Sequence, residues 1–403
     1  MDLPSLPELQ RRVERLPALA RVLPALAGSA GVHLVGGGVR DLLLGGEPVD
    51  LDLVVEGDAV TVAARIGGPV RVHDRFGTCT VMLDGFTYDL ARARRERYPA
   101  PGALPEIEPA PLTEDLLRRD FTINAAAVSL GGERVGELTA APGALEDIAA
   151  GRLRILHERS FIDDPTRLLR LVRYQSRLGF AIEPGTRALA VAAIDSGAPA
   201  TVSGPRIGTE LRLLARESDP VAALGALREL GLDRALHPGF GLDDPALAEA
   251  ALALLPADGR RDLLILALAG RGIEAGELRV LLGGLAFEAA DRETILGAAT
   301  GARDAAGAVA RATRSSEIAA ALSGGGPELA AIAGALGPAG PARQWLDRLR
   351  HVRLEIDGGD LLAAGVAQGP AIGRGLGAAL AAKLDDQASG REAELAEALR
   401  SAR

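Results

Sequence analysis

Residues 34–58 read LVGGGVRDLLLGGEPVDLDLVVEGD, and this stretch decides how the N-terminal part of the chain folds. The apolar run Val32–Val35 predicts a strand that leads into three consecutive glycines, and Val39–Leu44 predicts a helix after them. Val49–Val55 alternates aspartate with apolar residues, as a half-buried strand does. The stretch is therefore predicted to be a strand, a glycine turn, a helix and a second strand.

The second of these strands carries two carboxylates on one face. Because successive side chains of a strand point to opposite faces, Asp50 and Asp52 share one face, while Leu51 and Leu53 share the other. Two acids roughly 7 Å apart suit a pair of Mg²⁺ ions, which stabilise the attacking and leaving oxygens of a phosphoryl displacement. Taken alone, the same pattern also fits a solvated polar face on an edge strand.

Three glycines, Gly36, Gly37 and Gly38, lie where the first strand meets the helix. Backbone N–H groups in such a turn can approach phosphates closely, and Arg40 on the first helical turn offers a charge-assisted contact. The Gly-Lys-Ser/Thr of a Walker A loop is absent, and Asp41 stands where the dinucleotide fingerprint has its last glycine. A phosphate-binding turn and a purely structural turn both remain open.

Composition favours a soluble, globular protein with helical cores. The chain has 403 residues, 48% hydrophobic and 25% charged, which predicts two to four domains, and its 3% of aromatics leaves aliphatic residues to build the cores. Cys79 is the single cysteine, so no internal disulfide is expected. The N-terminus has no signal-peptide pattern, and no segment approaches the roughly 20 apolar residues of a membrane span. A cytoplasmic location is expected.

The net charge of −9 argues against a polyanionic partner, but the basic residues are unevenly distributed. Residues 92–97 read RARRER. Four more arginines recur within one short stretch: Arg167, Arg170, Arg173 and Arg177. Because Lys383 is the only lysine, nearly every basic residue of this chain is an arginine. An isolated arginine is therefore weak evidence for a functional site.

The first ~130 residues read as a small α/β domain. Residues 1–30 predict one or two helices, and further strands are predicted at Val70–Val72, Cys79–Leu83 and Thr87–Leu90. The prolines between Tyr98 and Leu112 predict a loop without a regular element. After Glu146 the pattern is helical throughout. Breaks in the helices are predicted at four places: Gly204-Pro205, His237-Pro238, Gly324–Pro327 and Gly337–Pro341.

Three motifs in this order resemble the class II tRNA nucleotidyltransferases, a group that contains CCA-adding, CC-adding and A-adding enzymes and bacterial poly(A) polymerases. They are residues 34–58, DLLRRDFTINAAAV at 115–128, and DDPTRLLRLVRYQSRLGF at 163–180, and the resemblance covers about residues 30–215. It implies an α+β fold with a polymerase β-like nucleotidyltransferase head containing a small mixed sheet. All-α neck, body and tail domains follow. The implied domains are 1–145 (head), 146–215 (neck, base recognition), 216–325 (body) and 326–403 (tail, tRNA binding).

The second motif holds two adjacent arginines beside an acid and an amide, a combination that can clamp a triphosphate. By resemblance, four of its residues help to build the nucleotide site: Arg118, Arg119, Asp120 and Asn124. Seen alone, the segment also fits the start of a helix with an ion pair.

In the third motif, Asp163 and Asp164 precede a proline that predicts a helix start, so capping explains both acids. Asp164 and Arg167 lie one helical turn apart on the same side, where a carboxylate and a guanidinium can bind the edge of cytosine or adenine. In the resembled family this motif reads the incoming base. The family usually has Glu at the position of Asp163, which leaves base selectivity less certain than catalysis.

Other residues are assigned roles on weaker patterns. Asp89 is the candidate third carboxylate, on a neighbouring strand. Arg170 and Arg173 follow Arg167 at helical spacing and contact triphosphate or RNA, or else lie on a solvated helix face. By resemblance, residues 92–112 form the flexible segment that helps the site change between nucleotides. The glycine turns at 357–360 and 369–373 resemble a segment that grips tRNA, and helix capping explains them equally well.

The resemblance implies transfer of AMP, CMP or both from ATP and CTP to the 3′ hydroxyl of tRNA, with release of pyrophosphate. Asp50 and Asp52 are the expected ligands of two Mg²⁺ ions, and no protein partner or membrane is expected. Three alternatives stay open: a poly(A) polymerase acting on generic RNA, a catalytically inactive RNA-binding protein, and a nicotinamide-dinucleotide oxidoreductase. Whether the chain adds CCA, CC or only A is also open, although VVEGDA and PGALPEIEP are similar to A-adding relatives.

Overall fold

The computed structural model describes residues 3–48, 50–73 and 77–402, which fall into two units, Met1–Ser203 and Gly204–Arg403. Within those residues all strands lie in the first unit, and the second is helical. The predicted fold class, α+β with an N-terminal mixed sheet followed by helices, is confirmed. The division into four domains with boundaries at 145, 215 and 325 stays a prediction.

The strands of the first unit are β1 (Val32–Val35), β2 (Asp50–Val55), β3 (Val70–His73), β4 (Thr78–Leu83), β5 (Phe86–Arg92), β6 (Arg94–Arg97), β7 (Glu106–Pro109), β8 (Ala126–Ser129), β9 (Leu138–Ala140), β10 (Arg152–Leu153) and β11 (Ala181–Ile182). Its helices are α1 (Leu6–Arg15), α2 (Pro17–Leu26), α3 (Gly37–Leu43), α4 (Ala59–Ile66), α5 (Leu112–Leu117), α6 (Ala144–Ala150), α7 (Ser160–Asp163), α8 (Thr166–Leu178) and α9 (Pro184–Asp195). The predicted strand residue Val49 lies outside the described residues.

Seven strands form one mixed sheet in the order β3-β4-β5-β2-β1-β8-β9. The central strand β2 runs antiparallel to β1 and parallel to β5, which puts Asp52 directly beside Asp89. The strands predicted around Val32, Val70, Cys79 and Thr87 are all present, with ends that differ by a few residues. The sheet therefore brings two of the predicted site strands side by side at its centre.

Helix α5 packs on part of one face of the sheet. This helix buries Leu112 and Leu116, four residues apart, against Val35 and Val54 of the two central strands. Val54 alternates with Leu53 and so lies on the same face of β2 as Asp50 and Asp52. The C-terminal end of α5 therefore lies at the face of the sheet that carries Asp50 and Asp52.

Helices α2 and α4 pack on the opposite face. Leu51 and Leu53 of β2 are 1% exposed there, and Tyr88 of β5 is fully buried. The Tyr88 hydroxyl donates a hydrogen bond of 2.7 Å to the Ala18 carbonyl of α2. These contacts fix which face of β2 and β5 points into the core, and they confirm the alternation predicted for residues 50–53.

The prediction of an irregular loop between Tyr98 and Leu112 is wrong for part of that segment. β7 pairs with β6 in an antiparallel hairpin, which places Arg95 opposite Glu108 and Arg97 opposite Glu106. Opposite charges across the two strands favour the pairing. Pro109 is tolerated because it stands at the end of a strand in a two-stranded ribbon.

Four other strands were missed by the sequence analysis. β8 and β9 extend the main sheet beside β1, although the Ala-Ala-Val-Ser sequence of β8 shows no alternation because every one of its residues is buried. β10 and β11 form a parallel pair of two residues each. The expectation of no strand after Glu146 is therefore wrong, since strands of two residues are too short to produce a periodic pattern.

The second unit consists of α10 (Gly204–Ala215), α11 (Pro220–Glu229), α12 (Leu232–Leu236), α13 (Pro245–Leu254), α14 (Arg261–Gly270), α15 (Ala275–Gly284), α16 (Ala289–Arg311), α17 (Ser315–Leu322), α18 (Gly326–Leu336), α19 (Ala339–Asp347), α20 (Gly358–Ala363), α21 (Pro370–Leu384) and α22 (Arg391–Ala402). All four predicted breaks fall at helix ends. No single helix of the described residues is long and apolar enough to span a membrane, and one sharply bent pair, α17 with α18, meets the length and composition criteria only when taken together.

The glycine turns near the C-terminus act as helix caps. The Asp357 side chain accepts from the backbone N–H groups of Gly359 and Asp360 at the start of α20, and Gly369 precedes the first turn of α21. The capping explanation is thus confirmed for Asp357. A contact of these turns with RNA stays a prediction.

Replacing Leu51 with Ala should reduce the free energy of unfolding by about 2–5 kcal/mol, because it opens a cavity in the core beneath the carboxylates. The matched control is Met82→Ala on β4 of the same sheet. Met82 is 61% exposed, so about 0.5 kcal/mol or less is expected. Urea unfolding followed by circular dichroism measures both. Equal losses for the two variants would contradict the assignment of the buried face.

Candidate functional site

Three carboxylates lie on one face of the central strands. Asp50 and Asp52 are exposed on β2, and Asp89 is exposed on β5 in register with Asp52. Residues paired across neighbouring strands point to the same face, so Asp89 joins the pair that the alternation of β2 predicts. Thr80 of β4 donates a hydrogen bond of 2.6 Å to Asp89 and orients its carboxylate.

Asp52 is partly desolvated and lies close to other charged groups. Its carboxylate reaches the surface, but the walls of the site surround it closely enough that desolvation raises its pKa above the usual range. Arg119 opposes this rise, and the negative charges of Asp89 and Asp50 add to it. A bound cation would relieve the repulsion, so the acids fit a site for positive charge.

Gly36 joins the glycine turn to these acids. It precedes α3 with a φ of 69°, a backbone conformation that favours glycine. A Cβ at this position would lie 3.1 Å from Nη1 of Arg119 and 3.9 Å from Oδ2 of Asp52. The turn and the carboxylate face are therefore neighbours, with an arginine between them. Gly37 and Gly38 belong to the first turn of α3, which begins two residues before its predicted start.

A cavity of about 380 Å³ opens in front of the acids. Asp52 and Asp89 line it together with Arg118 and Arg119, which follow α5. Arg118 and Arg119 stand at the end of α5, and a single turn of 3-10 helix, Thr122–Asn124, begins after them. The alternative of a helix start therefore holds only for that short turn. Both arginines form ion pairs with Asp115, one turn earlier in α5.

Asp115 forms ion pairs with both arginines. Its carboxylate is completely buried, with one oxygen accepting from Nε and Nη2 of Arg118 and the other from Nη2 of Arg119 at 2.9 Å. Although burial raises the pKa of Asp115, the guanidinium groups of Arg118 and Arg119 lower it below the usual range. Both arginines are consequently held by a permanent negative charge.

Arg119 keeps one donor without a protein partner. In the described part of the chain, its Nε is buried and has no hydrogen-bond acceptor. An unsatisfied buried donor costs about 1–3 kcal/mol, and a charged acceptor in the cavity would remove that cost. Asp52 and Asp89, which we call the carboxylate wall, therefore form a part of the cavity lining that can bind cations. Arg118 and Arg119, which we call the arginine wall, form a part that can bind anions.

A second group of polar residues connects α3, the segment after α5, and α8. Arg40 donates to Asn124 at 2.8 Å, Asn124 donates to Asp120 at 3.0 Å, and Arg170 donates to Asp120 at 2.6 and 2.9 Å. Arg40 is 3% exposed and also donates to Asp41. It is therefore an internal brace in this structure, and the predicted contact with phosphate stays a prediction.

Tyr174 on α8 is at the centre of this group. The guanidinium carbons of Arg40, Arg170 and Arg173 lie 5.2–5.5 Å from the centre of its ring, and Phe121 packs edge-on against it. Contacts of this kind are favourable cation–π interactions. Arg173 is 6% exposed, so the alternative of a solvated helix face is wrong for that residue.

The third motif contains the last residue of α7, Pro165 and the whole of α8. Asp163 pairs with Arg159 at 3.1 Å, while Oδ1 of Asp164 accepts from the backbone N–H and the hydroxyl of Thr166. Asp164 thus bonds the first residue of α8, as the capping explanation expects, whereas Asp163 is the last residue of α7. Arg167 is 5% exposed and donates to the Ser160 hydroxyl at 2.7 Å. Its other terminal nitrogen donates to the carbonyl of Arg118 at 2.8 Å, which ties α8 to the arginine wall of the cavity.

The structure brings most of the predicted residues into two adjoining groups, and it leaves Asp163, Asp164 and Arg167 outside both. Asp52, Asp89, Arg118 and Arg119 line the cavity, and Gly36 lies beside Arg119. Arg40, Asp120, Asn124, Arg170 and Arg173 meet around Tyr174. Sequence reasoning missed Asp115 and Ser160, although Asp115 opens the second motif and its spacing of three and four residues from the two arginines is an ion-pair signal.

In the described part of the chain, no three His, Cys, Asp or Glu side chains converge closely enough to enclose a metal ion unaided. Mg²⁺ in phosphoryl-transfer sites is commonly held by one or two carboxylates together with substrate phosphates. The strand pair of Asp50 and Asp52, with Asp89 alongside, fits that mode of binding.

Residues 32–154 match the model of the poly(A) polymerase head domain. That segment holds the central sheet, the three carboxylates and the arginine wall. The fold and the site therefore define a nucleotidyltransferase head followed by helices.

Curated relatives identify the family. A CC-adding tRNA nucleotidyltransferase of Deinococcus radiodurans is 36% identical over 348 residues, which cover 85% of this chain and 82% of the relative. An A-adding tRNA nucleotidyltransferase of Geobacter sulfurreducens is 45% identical over 52% of this chain. The chain belongs to the tRNA nucleotidyltransferase family. It spans 24% of the length of the Geobacter enzyme and 50% of an A-adding relative of Halalkalibacterium halodurans.

Solved structures agree with this family. A CCA-adding enzyme in an apo form superposes with a TM-score of 0.83 at 27% identity, and the match covers 100% of both chains. The CCA-adding enzyme of Thermotoga maritima in complex with tRNA superposes with a TM-score of 0.78 at 26% identity, again over 100% of both chains. The fold of the whole chain is that of CCA-adding enzymes.

Asp120→Asn should reduce the free energy of unfolding by about 2–3 kcal/mol at pH 7, since it leaves a half-buried guanidinium without its charged partner. Burial raises the pKa of Asp120, but Arg170 and Asn124 bring it down to about 2. The stabilisation is present above the pKa of an unfolded Asp, about 3.9, and is lost as the pH falls from there towards 2.

The difference between Asp120→Asn and the unchanged protein should therefore shrink between pH 5 and pH 3. Urea unfolding at several pH values measures it. The control is Asp84→Asn in the exposed β4–β5 turn, where little change is expected at any pH. A destabilisation of Asp120→Asn that is the same at pH 3 and pH 7 would contradict the role of its charge.

Proposed function

We propose that this chain transfers AMP, CMP or both from ATP and CTP to the 3′ hydroxyl of tRNA and releases pyrophosphate. The observation that carries the proposal is the register of β2 and β5, which sets Asp52 beside Asp89 and within reach of Gly36 and Arg119. Carboxylates for cations beside arginines for anions are the arrangement that a nucleoside triphosphate with its metal ions requires.

Asp50, Asp52 and Asp89 are the residues that would hold Mg²⁺. When bound, Mg²⁺ would supply stabilisation of the negative charge on the oxygens that attack and leave at the α-phosphate. The raised pKa of Asp52, caused first by desolvation and then by the charges of Asp89 and Asp50, supports this assignment, because a bound cation would offset both effects.

The arginine wall would bind the triphosphate. Arg118 and Arg119 are both held by Asp115 and line the cavity, and Nε of Arg119 is a buried donor that a phosphate oxygen would satisfy. The N-terminus of α3 after Gly36 adds a weak positive field. Pre-oriented donors of this kind stabilise the charge that develops on the departing pyrophosphate.

The base of the incoming nucleotide would be read from α8 and the residues before it. Asp164 and Arg167 offer an acceptor and donors, and Arg167 is tied through the Arg118 carbonyl to the triphosphate side of the site. ATP and CTP are supported as substrates by structures of CCA-adding enzymes in complex with each of them. The tRNA complex of the Thermotoga enzyme supports tRNA as the acceptor. Because the relatives are enzymes of tRNA processing, we place the reaction in the cytoplasm.

The relatives include both A-adding and CC-adding enzymes, so they leave the number and kind of added nucleotides open. The experiment therefore offers tRNA transcripts that end one, two or three nucleotides short of CCA, with Mg²⁺ and labelled ATP or CTP separately. An unstructured oligonucleotide in a parallel reaction distinguishes a poly(A) polymerase, which would extend it by many adenylates.

Asp50→Ala and Asp52→Ala should each reduce incorporation by about a thousandfold or more, because metal-assisted stabilisation of the transition state is lost. Binding of tRNA, measured by filter retention, should remain. Asp84→Asn, which changes an acid on the exposed turn, is the control. Full activity in both alanine variants would exclude the mechanism.

Arg119→Lys should raise the KM for the nucleoside triphosphate about tenfold, since a lysine cannot replace the two-sided guanidinium contact. Tripolyphosphate, which has no base, should inhibit the variant more weakly by a similar factor. The control is Arg95→Lys on the outward face of β6, where the side chain is 55% exposed. An unchanged KM in Arg119→Lys would remove this residue from the triphosphate site.

A further inference from the structure

The two strands at one edge of the main sheet carry polar side chains to which the sequence analysis gave no role. β3 is exposed along its whole length, and β4 pairs with both β3 and β5. Thr80 of β4 lies in register with Asp89 of β5, which lies in register with Asp52 of β2. Because residues paired in register share a face, Thr80 lies on the face of the carboxylates. Thr80 and His73 of β3 line the same cavity as Asp89.

Asp89 differs from the other two carboxylates because a hydrogen bond holds it. Its Oδ1 accepts from the Thr80 hydroxyl at 2.6 Å. Among the residues that the structure describes, no group donates a hydrogen bond to Asp50 or Asp52. The outer torsion of an aspartate side chain has a broad range of accessible angles. A donor that holds one oxygen of Asp89 therefore also fixes where the other oxygen points.

The hydrogen bonds that lead to Asp89 run in one direction. An ionised carboxylate can only accept, so the Thr80 hydroxyl donates its proton to Asp89 and its oxygen is left to accept. Nε2 of His73 lies 3.4 Å from that oxygen and is consequently the nitrogen that carries the hydrogen. His73 is in register with Thr78, which makes it the diagonal neighbour of Thr80 on the same face. The chain of donors thus runs from the edge strand to the third carboxylate.

This chain determines which oxygen of Asp89 is available to a cation. Oδ1 is engaged by Thr80, and Oδ2 is the oxygen left to face the cavity. Carboxylates that bind metal ions are commonly hydrogen-bonded in turn, and loss of such a partner typically lowers metal affinity or activity by about 10- to 100-fold. Thr80 therefore resembles Asp115 in its effect, since each sets the orientation of a charged group before a ligand arrives.

We propose that Thr80 and His73 are positioning residues for the third carboxylate, which hold Asp89 in the orientation in which it binds a divalent cation. Thr80 acts directly on the carboxylate, and His73 keeps the Thr80 hydroxyl turned towards it. Both residues act through Asp89. The inference rests on the proposed function, in which Asp89 is a ligand of Mg²⁺.

Binding of Mn²⁺ to the full chain tests the proposal, with no nucleotide or tRNA present. Mn²⁺ takes the same oxygen ligands as Mg²⁺, and electron paramagnetic resonance measures the free ion. Thr80→Val keeps the shape of the side chain but removes the hydroxyl, so the affinity should fall about tenfold. Thr80→Ser restores the hydroxyl and should stay within about twofold of the unchanged protein. His73→Phe should weaken binding about threefold, because its contact with Thr80 is long.

The matched control is Thr78→Val, which makes the same change on the same strand and the same face. Thr78 does not bond Asp89, so its variant should bind Mn²⁺ as the unchanged protein does. Urea unfolding should give similar midpoints for Thr78→Val and Thr80→Val. If Thr80→Val fails to fold, Thr80→Ala takes its place.

A double-mutant cycle distinguishes positioning from a general structural role. Asp89→Asn should weaken Mn²⁺ binding but leave it measurable, since Asp50 and Asp52 remain. Adding Thr80→Val to Asp89→Asn should cause no further loss, because the carboxylate that Thr80 orients is gone. The same tenfold loss in both backgrounds would overturn the proposal.

Three other results would also contradict the positioning role: an unchanged Mn²⁺ affinity in Thr80→Val, a failure of Thr80→Ser to restore it, and no Mn²⁺ binding by the unchanged protein. The proposed function fails separately, if Mn²⁺ binding depends on Thr80 and Asp89 as described but the unchanged protein does not extend tRNA.

Discussion

The parallel pairing of β2 with β5 is the constraint on which the rest of the site depends. It puts Asp52 next to Asp89. A shift of one residue in either strand would move the carboxylates of that strand to the opposite face, towards the apolar core. The shift is prevented from the other face, where Leu51 and Tyr88 are buried against helices. Core packing on one side of the sheet thereby maintains a cluster of like charges on the other, against their mutual repulsion.

Three arginines of the site, Arg118, Arg119 and Arg170, are oriented by buried acids. Asp115 holds Arg118 and Arg119, and Asp120 receives Arg170 and Asn124. Each acid holds a guanidinium group in one orientation, although a free arginine side chain would sample many rotamers. The net charge of −9 is therefore no obstacle to binding an anion, because the local arrangement of opposite charges decides the field inside the cavity.

Much of the fold could be predicted from local patterns. The strand, glycine turn and helix around Gly36 and the alternation of β2 were readable because each depends on residues only one to four positions apart. β8 was not, since an alanine-rich strand buried on both sides has no polar face to reveal it. The β6–β7 hairpin was hidden by prolines that stand mostly in its loop and at its ends.

By itself, the sequence determined that two acids face one way on a strand after a glycine turn, and its three motifs indicated the family. Only the tertiary structure decided which residues meet: Asp89 with Asp52, Asp115 with both arginines, and Tyr98 with Arg167 across 69 positions of the chain. The physical reason is that backbone periodicity is encoded locally, whereas partners far apart in sequence are selected by the packing of β-strands and helices around a shared core.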